Sequence, residues 1–130
     1  MRSVIFISAA ALTVASCAQP AVAPGDNGAF ARELAGRVAA GPPQSCVGTM
    51  QSQNLRVIDR QTLAYEQGAT LWVNRLRAPC PGIAPLNTVI VQPKLGSQYC
   101  NGDHIRGLEP GGIIPGPVCF LGQWVPYRKP

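Results

Sequence analysis

Four cysteines, Cys46, Cys80, Cys100 and Cys119, stand beyond an N-terminal apolar run, separated by 34, 20 and 19 residues. An even set of cysteines behind an export leader reads as a disulfide framework. Two covalent bridges restrict so short a chain more than any other feature of it. The alternative use of four thiols, a structural zinc site, normally draws on close pairs such as C-x₂-C, and these spacings contain none. Sequence alone leaves three connectivities open. We expect Cys80 joined to Cys100 and Cys46 joined to Cys119, nested so that the outer bond ties the first core strand to the last. Cys80 lies in the rigid Ala78-Pro79-Cys80-Pro81-Gly82 turn and Cys100 ends a strand at an Asn-Gly turn, so both sit at strand ends. A closed or nearly closed sheet would then set Cys46 beside Cys119.

The N-terminus reads as an address. Arg2 precedes an apolar run from Val4 to Ala15, which is shorter than the about 20 residues a spanning helix needs and has the length of a signal h-region. Val14-Ala15-Ser16-Cys17 resembles the lipobox of bacterial lipoproteins, which implies diacylation of Cys17 and a signal peptide over residues 1–16. Ala21-Val22-Ala23 competes as an ordinary A-x-A cleavage site, but Pro24 follows it and makes a poor bond to cut. Because Ala18 and not Asp follows Cys17, the expected location is the inner leaflet of the outer membrane, with the domain in the periplasm. A soluble periplasmic or secreted protein is the alternative.

Residues 17–43 read as a lipidated tether. Their first part is small, Pro-containing and nearly uncharged, as suits a flexible linker. Phe30, Leu34 and Val38 recur at i, i+4 and i+8, with Asp26 or Asn27 as N-cap and Gly41-Pro42-Pro43 as a stop, which predicts a short amphipathic helix; a continuation of the tether is the alternative. Residues 44–130 change to short runs of Val, Ile, Leu, Tyr and Thr between turn residues. Strands are expected at 54–58, 62–66, 69–76, 87–92, 97–100, 104–107, 118–121 and 124–125. The turn at Asp59-Arg60-Gln61 joins the first two. Gln67-Gly68 forms a hairpin, with Leu71, Val73 and Leu76 on one face and Trp72 and Asn74 on the other. Asn101-Gly102 forms a second hairpin, and 109–117, dense in Pro and Gly, is loop. The expectation is a mainly β domain: a small antiparallel barrel or sandwich with two disulfides.

The chemistry is sparse. His104, the single histidine, follows Asp103, and these two are the only candidate ligand-binding residues; a hydrogen-bonding turn role is the competing reading. Asp59, Glu66 and Glu109 form no informative pair with Asp103. No G-x-S-x-G, P-loop, H-E-x-x-H or C-x-x-C occurs, so no catalytic residue, cofactor or metal is implied and the chain is not read as an enzyme. Tyr65, Trp72, Tyr99, Trp124 and Tyr127 are either core or the lining of a groove. The net charge of +5 is carried by scattered arginines, which suits an anionic envelope component and not nucleic acid.

The segments Arg56-Val57-Ile58-Asp59 to Thr62-Leu63, Pro79-Cys80-Pro81-Gly82-Ile83, Tyr99-Cys100-Asn101-Gly102-Asp103 and Cys119-Phe120-Leu121-Gly122 together resemble a family of small exported proteobacterial proteins of unknown function. The resemblance spans 46–127 and implies a periplasm-facing β-domain with paired cysteines. It implies no activity, ligand or catalytic residue. The functional expectation is a non-catalytic binding or structural module, held to the membrane through a lipid and contacting an envelope protein or anionic component. The alternative is a periplasmic small-ligand binder or enzyme using Asp103 and His104.

Overall fold

The computed structural model describes residues 28–49 and 55–130. The leader, Cys17 and the proposed N-caps Asp26 and Asn27 lie outside them. Three consecutive strands, β3 (Arg56–Asp59), β4 (Thr62–Gln67) and β5 (Thr70–Arg75), form an antiparallel meander because each connection has the turn chemistry it needs. The Asp59 carboxylate accepts the Gln61 N–H at 2.7 Å, closing the first turn, with a bulge between Val57 and Asp59. In the second, φ is positive at Gly68 (57°) and not at Ala69, the sign pattern of a type II′ hairpin. The C-terminal strand β10 (Trp124–Arg128) returns to pair with β5, and β1 (Val38–Ala39) covers the far side of β10, which gives the order β1-β10-β5-β4-β3.

Two smaller sheets complete the domain: β2 (Cys46–Gly48) with β7 (Gln98–Cys100), and β6 (Thr88–Gln92), β8 (His104–Leu108) and β9 (Cys119–Phe120) in the order β6-β8-β9. All ladders are antiparallel. The fold is thus mainly β, as expected, but the sheets do not close into a barrel.

The central strands of the five-stranded sheet are buried on both faces. Val57, Leu63, Tyr65, Leu76 and Trp124 point into the main core with Val47, Cys80, Ile83, Ile105 and Leu121 from the other sheets and loops. Ile58, Ala64, Leu71 and Val73 point the other way, under the helix α1 (Ala29–Leu34), whose Ala29, Phe30 and Leu34 cover them. Strand parity therefore places Leu71 and Val73 opposite Trp72 and Asn74 as expected, but Leu76 belongs to the Trp72 side, because successive residues alternate.

A helix of six residues does not stand alone in water. Here Phe30 meets Tyr127 edge-on at 6.1 Å and lies under the Arg75 guanidinium at 5.6 Å, while Glu33 pairs with Arg56, which also reaches Glu66, itself 3.0 Å from Arg37. The helix ends earlier than its apolar stripe suggests. Ala35 and Gly36 both take positive φ (46° and 80°), so Val38 leaves the helix and joins the exposed edge strand β1.

The disulfides correct the expected connectivity. Cys46 is bonded to Cys100 and Cys80 to Cys119, an interlaced pattern and not the nested Cys46–Cys119 and Cys80–Cys100. The reason is register. β2 runs antiparallel to β7 with Cys46 directly opposite Cys100, their Cα atoms 4.0 Å apart. The closure assumed to bring Cys46 to Cys119 does not occur, since β9 pairs with β8 instead.

Candidate functional site

Asp103 and His104 adjoin in sequence, but the fold assigns them different surroundings. Asp103 is fully buried in the Cys100–Asp103 turn. Its carboxylate accepts the Cys100 N–H at 2.7 Å and the Lys94 N–H at 3.2 Å, its own N–H donates to the Cys100 carbonyl, and its carbonyl accepts the Leu121 N–H. A buried carboxylate needs several such donors; here they lash β7, β8, the loop after β6 and the segment after β9 together. This is a structural node. His104 stands half-buried on the outer face of β8, between Gln92 and Phe120 in the ladders, its ring edge-on to Phe120 at 5.1 Å. Among the described residues no three His, Cys, Asp or Glu side chains converge as a metal site.

The turn itself differs from the hairpin expected. A type I′ turn needs positive φ at both central residues, whereas only Gly102 has it (87°), not Asn101. The chain accordingly leaves the two-stranded sheet at Cys100 and enters the three-stranded one at His104 without pairing β7 to β8. Arg77 closes over the bend by donating to the Asn101 side chain at 3.0 Å.

The aromatics divide as their positions dictate. Tyr65 and Trp124 are buried in the core, while Trp72, Tyr99 and Tyr127 are half-buried around it. Tyr65 and Tyr99 meet edge-on at 6.3 Å; burial, and secondarily the neighbouring Tyr65, push the Tyr99 hydroxyl above its ordinary value. Trp72 donates its indole N–H to Gln67.

The feature that sequence reasoning passed over is the loop after β8. Glu109 to Gly112 form a turn closed by the Gly112 N–H on the Glu109 carbonyl, with Gly111 at φ 75° and Pro110 before it, the pattern of a type II turn. Gly116 then docks by donating to the Gly107 carbonyl at 2.8 Å. Gly107 has to be glycine, because a Cβ there would overlap the Gly82 carbonyl oxygen. Between these fixed ends stand Ile113 and Ile114, 91% and 82% exposed, and the chain continues through exposed Val118 and Phe120. Isoleucine is among the residues most often buried, so two of them held outward on a loop fastened at both ends form an apolar display. The signal was present in the sequence: two β-branched apolar residues inside a stretch too rich in Pro and Gly to be a strand.

Among the described residues no helix is long and apolar enough to cross a membrane. Compared with protein-family models, with curated proteins and with solved structures, the chain matches none.

Proposed function

We propose that this protein is a non-catalytic envelope module, held by a lipid on Cys17 at the inner leaflet of the outer membrane, whose β-domain docks onto another envelope component through the 109–118 loop. The observation that carries this reading is the outward display of Ile113 and Ile114 between a type II turn and the Gly107–Gly116 contact. Supporting it, the one buried acidic candidate, Asp103, has its carboxylate engaged by backbone donors, and two disulfides suit an oxidising compartment. The positive net charge favours an anionic patch on the partner.

The test is retrieval from crosslinked envelopes with the native protein and with an Ile113→Ser/Ile114→Ser variant, beside a metabolite thermal-shift screen. The reading expects one partner recovered with the native protein and lost with the variant. A reproducible shift with one metabolite, abolished by His104→Ala, with no loop-dependent partner, would establish small-ligand binding in its place. For the anchor, the protein should partition into detergent and move to the aqueous phase on Cys17→Ser. An unmodified N-terminus at Pro24 would end the lipoprotein reading.

A further inference from the structure

We infer that β6 is a dimerisation strand, pairing with β6 of a second copy across a two-fold axis centred on Ile90. The first observation is the backbone. Gly107 of β8 directs its carbonyl away from β6, to Gly116, and Ile105 pairs with Cys119 of β9. Alternate residues of a strand aim their polar groups to opposite sides, so His104, Arg106 and Leu108 serve β6, where their partners are Gln92, Ile90 and Thr88. The N–H and C=O groups of Val89 and Val91 therefore point to the open edge of β6. β3 comes near β6, with no ladder between them.

The second observation is that, among the described residues, this edge alone lacks the usual protection within the strand itself. Free edges are commonly blunted by shortness, charge, proline or a bulge. β1 and β9 have two residues each. β3 carries Arg56 and Asp59 at its ends and a bulge. β2 and β7 are three residues long. β6 has five, Thr-Val-Ile-Val-Gln, without charge or proline inside the strand, Pro93 and Lys94 coming only after its last residue.

The third is self-complementarity, which a two-fold contact requires. An antiparallel pair centred on Ile90 sets Thr88 opposite Gln92, Val89 opposite Val91, and Ile90 opposite its own copy. Val89 and Val91, whose free groups face the edge, become the hydrogen-bonded pair, and Ile90 the close, non-hydrogen-bonded one. Leu86 and Leu95, in the turns that flank β6 on either side, are 89% and 58% exposed, an apolar surface beyond each end of the strand. A seam of residues 86–95 falls short of the about 20–30 residues and 800 Å² per partner of a standard interface. The dimer is thus reversible, and the like positive charge of the two copies weakens it at low salt.

Sedimentation equilibrium of the intact purified protein in mild detergent, at low and high salt, tests this. The mass should move from monomer to dimer with concentration, and further at high salt. Ile90→Lys, which sets two like charges opposite one another on the outer face, should weaken association about tenfold or more, with β circular dichroism and both native disulfides retained. As a check of register, Ile90→Cys should give a dimer crosslinked at residue 90 under oxidising conditions, and Thr88→Cys should not. A protein that stays monomeric throughout, a dimer indifferent to Ile90→Lys, or crosslinking of Thr88→Cys as ready as that of Ile90→Cys would overturn the inference.

Discussion

The side chain of Asn74 substitutes for a missing strand. Fully buried on the core side of β5, it donates from Nδ2 to the Gly122 carbonyl and accepts the Gly122 N–H at Oδ1, both at 2.8 Å, so that its amide satisfies both backbone groups of one residue as a ladder partner would. Gly122 approaches so closely that a Cβ would overlap the Arg75 carbonyl oxygen. Asn74→Ala leaves a buried N–H and a buried C=O without partners, at roughly 1–3 kcal/mol each, so the expected loss is about 2–6 kcal/mol. That is a large part of the 5–15 kcal/mol typical of a whole domain. Urea denaturation under oxidising conditions, followed by tryptophan fluorescence, reads it directly. Asn74→Asp adds a sign to the magnitude. Its ionised carboxylate faces the Gly122 carbonyl with no proton to give, whereas the protonated form donates to it. Folding therefore raises that pKa above the unfolded value of about 3.9. The stabilising contact is fully present below the unfolded pKa and is lost as pH rises through the folded one, so the aspartate variant should lie closest to wild type in acid and furthest from it at neutral pH. A loss under about 0.5 kcal/mol for Asn74→Ala, the size of an ordinary surface substitution, or a deficit in Asn74→Asp that does not shrink in acid, would refute the reasoning.

Non-reducing peptide mapping should join Cys46 to Cys100 and Cys80 to Cys119; with sequence separations of 54 and 39, removing either bond should cost about 4 kcal/mol in the chain-entropy model. Gly107→Ala should destabilise strongly, as overpacking against backbone does, by about 1–3 kcal/mol or more, and a melting temperature within a degree of wild type would contradict the contact with Gly82. Because burial raises the Tyr99 hydroxyl above the ordinary tyrosine value of about 10, its share of stability is complete below that value and lost as pH rises through the folded pKa. Spectrophotometric titration should show the Tyr99 hydroxyl ionising late, and Tyr99→Phe should remove that component.

Local chemistry suffices to specify some elements of this fold and not others. Gln67-Gly68 marks a hairpin because glycine at the first central position suits a type II′ turn, and the flanking runs do pair. Asn101-Gly102 marks a turn equally well, but whether its flanking strands pair depends on Asp103, whose carboxylate takes the Cys100 N–H, and on the distant Leu121, which bonds Gly102 and Asp103. The helix stripe of Phe30 and Leu34 was visible, whereas its end at Ala35 was not, since alanine does not announce a positive φ. The disulfide pairing depended on the register of β2 against β7, strands about fifty residues apart, which no local pattern encodes. Thr62-Leu63-Ala64-Tyr65 is buried throughout because α1 covers one face and the core the other, so strict alternation could not appear there. Asp103 drew attention as an acid beside a histidine; its burial and backbone donors, set by tertiary contacts, make it a fastening. The display loop was legible as a loop and not as a surface, because exposure of Ile113 and Ile114 follows from the Gly107–Gly116 docking.

The proposal that this domain works by presenting that loop is tested most directly by photocrosslinking in intact cells, with a photoreactive residue at position 113 or 114, and with Arg60, exposed on the β3–β4 turn, as the control position. The account predicts one envelope adduct from 113 and 114 and none from 60. Adducts from all three positions alike, or from none, would contradict it.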